Sequence, residues 1–253
     1  MNTIQLEKES SKKYLLEKDT DDLVALTSDN VARVEAMISS DSNYLKSEDK
    51  TAEPHGSYGG STAFWMSELK KYLISGSEKS KYSYKEVVLE AVSAVDRENN
   101  THINADGVGR NELSDRIASL LKDDLVTLLK DPAPEYKLVS ILSKKTHPLG
   151  NKMRARENYS FATKFCHYAC MYVFEGSKEQ DNFSIYDYVI SSVLPLYITK
   201  YLKISSKKSD FLKYGEYIDI IDKIIKKSGG KISRNGFDHI LWYYYKGKPI
   251  NNK

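Results

Sequence analysis

Between Glu157 and Val189 the chain reads ENYSFATKFCHYACMYVFEGSKEQDNFSIYDYV. Lys164 is the lone Lys, Arg, Asp or Glu in the run from Phe161 to Phe174. That run has no Gly or Pro, and Phe161, Phe165, Tyr168 and Tyr172 recur in it at helical spacing. Asn158 and Ser160 are residue types that cap helices, so a helix is expected to begin there. A polar loop, EGSKEQDN, follows, and FSIYD then delivers Asp187 at the head of another apolar helix. Burial on an apolar helix disfavours the charged form of an amine, and a neutral amine attacks electrophilic carbon. An acid nearby in the chain order can stabilise positive charge at that carbon and move protons. Each residue also has a plainer reading: Asp187 as a helix N-cap, Lys164 as a side chain snorkelling to solvent.

In this order and spacing, FATKFCHY followed by FSIYDYV resembles the catalytic core of the helix-hairpin-helix DNA glycosylase superfamily. It is most similar to the 8-oxoguanine DNA glycosylase-like branch. The specific likeness covers about thirty residues. It implies that Lys164 is a nucleophile and Asp187 its catalytic partner, in a two-lobed all-α fold with a cleft between the lobes. The family hairpin before the lysine is glycine-rich, whereas this chain reads RARENYSFATK there. The partner implied is duplex DNA carrying a modified or damaged base, flipped out into a pocket lined by aromatic residues. Phe161, Trp242 and Tyr243 are the candidates for that pocket, the latter two because the family carries a stacking aromatic on a C-terminal helix. Lys152, Arg154, Arg156 and Ser160 lie where a DNA backbone would run. No metal or cofactor is expected. The implied function is base excision, with abasic-site lyase activity, in DNA repair. The alternative is a catalytically inactive helical module binding DNA or protein, for instance in phage defence.

Charge is consistent with a polyanionic partner for the second part of the chain. Residues 151–253 hold 18 Lys and Arg against 10 Asp and Glu, whereas the first 150 hold 20 against 25. A polyanion would be drawn to the basic part, although a lysine-rich surface can also be simply solvated. Twelve of the nineteen tyrosines lie after residue 150 as well. The 253 residues, 40% hydrophobic, suffice for a sizeable core, and few Pro and Gly favour helices over strands and turns. No apolar run approaches membrane-spanning length and no apolar leader opens the chain, so a cytoplasmic protein is expected. Cys166 and Cys170, the only cysteines, sit one helical turn apart. They form no disulfide framework, and even with His167 nearby they leave a tetrahedral zinc site unfilled.

The elements that must position these residues follow from periodicity. An N-terminal extension, 1–56, is expected to hold a helix from about Thr20 to Met37 and a long loop; a helical domain, 57–253, follows. Ser61 or Thr62 caps a helix carrying Phe64, Trp65, Leu69 and Leu73, and Ser83 opens an amphipathic one. ENNTHINADGVG is a turn-rich loop; it fails as a calcium loop because Leu113 stands where the acid belongs. One helix is expected from Asn111 to Lys130, stopped by DPAP, and a shorter one from Glu135 to Lys145. The linker KKTHPLGNKMRAR then leads to the Lys164 helix. After Asp187 a helix reaches about Leu202 with a bend at Pro195, and further helices span Tyr214–Lys227 and start at Ser233. No alternating strand pattern exceeds five residues, so the fold class is all-α.

Overall fold

The computed structural model describes residues 16–39, 50, 60–74, 79–104, 108–146, 158–206, 211 and 213–247. The fold is all-α, as expected; among the described residues the sole β pairing is an isolated bridge between Lys18 and Val24. In chain order the helices are α1 (Ser28–Ser39), α2 (Thr62–Leu73), α3 (Tyr84–Asn99), α4 (Gly109–Ala118), α5 (Lys122–Lys130), α6 (Lys137–Leu142) and α7 (Tyr159–Val173). A 3-10 turn, Lys178–Asp181, precedes α8 (Tyr188–Tyr197), a π turn at Ile198–Leu202, α9 (Tyr214–Lys227) and α10 (Arg234–Tyr245). None is long and apolar enough to cross a membrane. Contacts divide the chain into two units, residues 43–186 and residues 1–42 with 187–253.

The 43–186 unit is built around α7, which packs against α2, α3, α5, α6 and the 3-10 turn. Eleven of its fifteen residues are buried. A helix apolar on nearly all sides belongs in the middle of a core, not on its edge. Two strong caps fix the neighbours that receive it. The Ser61 hydroxyl accepts the Phe64 N–H at the head of α2, and Ser83 and Glu86 form a reciprocal capping box on α3. Asn100 closes α3 in the left-handed region, with φ 48°.

The long helix expected over 111–130 is two. Leu121 is extended, 72% exposed, and Asp123 and Asp124 open α5, where their charge suits the positive helix end. Leu121 is apolar yet faces solvent, so apolar spacing alone runs the two helices together. The helix expected over 135–145 is confined to Lys137–Leu142, since Tyr136 stands at φ 45°. Gly109, opening α4, lies against the Ile103 backbone: a Cβ there would be 1.7 Å from the Ile103 carbonyl oxygen.

In the other unit, the helix expected from Thr20 begins at Ser28 instead. Asp19–Leu23 is a turn, with Asp22 at φ 61° and the Asp19 carboxylate accepting the Asp21 and Leu23 N–H groups. Buried Asn30 ties this turn to α1: its amide donates to the Glu17 and Ala25 carbonyls and accepts the Glu17 N–H. Tyr197 of α8 donates to the Val24 carbonyl and meets the Tyr245 hydroxyl of α10 at 3.2 Å. Pro195 lies inside α8, and the π turn follows directly.

Candidate active-site lysine and its supporting latch

The helix bearing Lys164 begins at Tyr159, with Asn158 in the capping position. Asn158 does not cap with its side chain; its amide donates to the Lys144 carbonyl at 3.1 Å, tying the helix start to the end of α6. Ser160, expected as a cap and a DNA contact, is half-buried in the first turn, and its carbonyl accepts the Thr163 hydroxyl. The apolar positions point into the core: Phe161 is 1% exposed, with its ring 6.0 Å from that of Phe165. That position packs the core rather than offering a surface to a base.

Lys164 is carried into the same buried setting and is only 8% exposed. Its amine stands 3.5 Å from the Asn99 carbonyl, at the C-terminal end of α3. Carbonyls there lack partners within their own helix and carry the negative end of its dipole, so the contact offsets part of the cost of burying an amine. Asn99 is held in turn: its side-chain carbonyl accepts the Tyr168 hydroxyl at 3.1 Å and its amide donates to Val95. Tyr168 lies four residues after Lys164, so one face of α7 carries both groups that address Asn99.

Two further α7 side chains hold the chain that leads to Asp187. Phe183–Asp187 has no regular structure and is mostly buried. The Thr163 hydroxyl, fully buried, accepts the Tyr186 N–H at 3.1 Å and turns its own hydrogen toward the Ser160 carbonyl. His167, 2% exposed, places Nδ1 3.0 Å from the Phe183 carbonyl. A carbonyl only accepts, so Nδ1 carries the hydrogen. Burial pushes the His167 imidazole below its ordinary range, opposed by that bond and by the charge of Asp181. Rings complete the latch: Tyr186 meets Tyr159 edge to face at 4.9 Å, and Phe183 meets Tyr136 at 5.6 Å. Asp187 then caps α8, its carboxylate accepting the Ile190 N–H at 2.9 Å.

Lys152, Arg154 and Arg156 lie outside the described residues. Trp242 and Tyr243 are half-buried on α10, and the Lys246 ammonium lies over the Trp242 ring at 3.8 Å. Among the described residues no group of His, Cys, Asp and Glu is arranged to hold a metal. Cys166 and Cys170 are buried, and burial pushes both thiols well above their ordinary range.

Sequence reading singles out neither Asn99 nor Thr163, takes Tyr168 only as an apolar position of the helix, and weighs His167 only beside the two cysteines. Thr163 and His167 stand four apart, as one helical face requires, but nothing in their types names a partner twenty residues away. It also passed over a cavity of about 310 Å³ lined by Asp96, Arg97, Asn100, His102, Asn104 and Arg110. Buried Asp96 organises its wall, accepting Thr101 Oγ1, the Ile103 N–H and Arg110 Nε. No family model, curated protein or solved structure matches this chain.

Proposed function

We propose that this chain is a DNA glycosylase, with abasic-site lyase activity, whose nucleophile is Lys164 and whose catalytic carboxylate is Asp187. The observation that carries this reading is the setting of Lys164. Its amine is buried on a core helix, and the same helix grips the segment that runs into Asp187. Nucleophilic lysines need such a water-poor, fixed setting, because the amine must lose its proton and meet one carbon. The neutral amine attacks C1′ of the sugar as the bond from C1′ to the base breaks. The base leaves with the bonding electrons and takes up a proton. The sugar ring opens to an imine, and elimination of the 3′ phosphate cuts the strand. Asp187 stabilises the positive charge that develops on the sugar and assists these proton transfers. The cleft between helical lobes that the resemblance implies belongs to this same reading.

The inactive binding module draws on two specific contacts. The Lys164 amine already has a carbonyl acceptor in Asn99, and the Asp187 carboxylate already has a capping duty. Base release from duplexes bearing a panel of oxidised, alkylated and deaminated bases separates the two. Wild-type protein is expected to release at least one of them. Asp187→Asn is expected to slow that release by about 100-fold or more, the range of a positioned acid–base group. Release at equal rates by both proteins would remove Asp187 from the chemistry. Release from no duplex, with DNA binding intact, would favour the inactive module.

A further inference from the structure

We infer that Thr163 and His167 are positioning residues for the reaction: as a two-point latch they fix the register in which the chain enters Asp187 from the Lys164 helix. This inference rests on the proposed function. Thr163 precedes Lys164 and His167 follows it by three, so the two side chains bracket the lysine on one helix. Their partners bracket the delivered segment in the same way, the Phe183 carbonyl at its start and the Tyr186 N–H at its end. A segment without regular structure has no ladder of its own to set its register. Here two side-chain bonds to a core helix supply it, at the residue just before Asp187. Both bonds are buried, so no water replaces either when it is broken.

The chemistry of the two groups is specific. Thr163 must accept at Oγ1, so Ser serves in its place and Val does not. His167 must donate from Nδ1, and an Asn amide nitrogen falls close to that position, whereas Leu offers no donor. Met or Phe would fill the space of His167 without binding Phe183. A residue needed only for bulk would tolerate Leu as well as Asn, so the pattern of rescue separates positioning from packing.

The test uses the full chain with two readouts. The first is hydrogen exchange at the Tyr186 amide, which reports the latch without any activity. Thr163→Val is expected to speed that exchange tenfold or more, and Thr163→Ser to leave it within twofold of wild type. The second compares base release, on whichever duplex of the panel wild type processes fastest, with borohydride trapping on an abasic duplex. Thr163→Val and His167→Leu are expected to lose base release at least tenfold more than trapping, because no base has to leave from an abasic site. Thr163→Ser and His167→Asn should restore base release. Unchanged Tyr186 exchange in Thr163→Val would overturn the latch. Base release and trapping falling in parallel, with no rescue by Ser or Asn, would reduce both residues to packing. No base release and no trapping by wild type, with Tyr186 exchange still released by Thr163→Val, would overturn the proposed reaction and the positioning role with it, leaving the latch as an element of the fold.

Discussion

At the scale of single residues, the buried imidazole of His167 ties structure to pH. The unfolded chain holds this group near its ordinary value of 6.5, and burial lowers it in the folded state. Below about pH 6.5 the unfolded chain therefore binds more protons at this position, and stability falls as pH falls toward the folded value. Above that window the imidazole is neutral in both states and adds no pH dependence. Between pH 7 and pH 5, wild type is expected to lose more stability than His167→Asn, by at most about 1.4 kcal/mol for each pH unit. Denaturant unfolding of both proteins across that range measures it; parallel curves would mean that His167 is not held neutral. Lys164 and Asp187 were legible in the sequence by type: a lone charge in an apolar run, and an acid opening a helix. Their partners were not. The Asn99 carbonyl that meets Lys164 is sixty-five positions away, and periodicity says nothing about contacts at that distance.

At the scale of elements, helices were legible wherever cap and periodicity agreed. Ser61, Ser83 and Ser233 each cap the helix expected to follow them, and Tyr214–Lys227 has the expected bounds. Boundaries failed where local side-chain bonds competed with apolar spacing. The Asp19 carboxylate captures two backbone N–H groups and holds a turn where a helix was expected. Asn100–Asn104, by contrast, belongs to the turn-rich loop that was expected: buried Asp96 gathers Thr101, Ile103 and Arg110, with Asn100 and His102 at positive φ. Gly109 then passes against Ile103, and a backbone neighbour cannot swing aside. Gly109→Ala is expected to cost about 3 kcal/mol, the upper range of an overpacked site, and to lower the denaturant midpoint accordingly. A change under about 0.5 kcal/mol would show that the α3–α4 connection yields easily.

At the scale of the whole molecule, the all-α class was legible from composition and the lack of alternation. The grouping of the chain was not, because the Tyr197 and Tyr245 hydroxyls join Val24, near the start, to α8 and α10. The basic excess of residues 151–253 motivates a prediction about DNA. Replacing Lys152, Arg154 and Arg156 together by Ala should weaken binding to unrelated duplexes alike. It should flatten the dependence of log K on log salt by about 0.9 for each phosphate that is no longer neutralised. Titrations at several salt concentrations would show this, and an unchanged slope would remove these three from the interface. The central claim concerns chemistry rather than affinity. Its most direct measurement is sodium borohydride trapping on abasic duplex, with the linked peptide identified by mass spectrometry. Wild type is expected to form a covalent complex through Lys164, and Lys164→Gln, which keeps most of the length but no basic amine, to form none while still folding and binding DNA. Equal trapping by the two proteins, or a crosslink at another amine, would contradict Lys164 as the nucleophile.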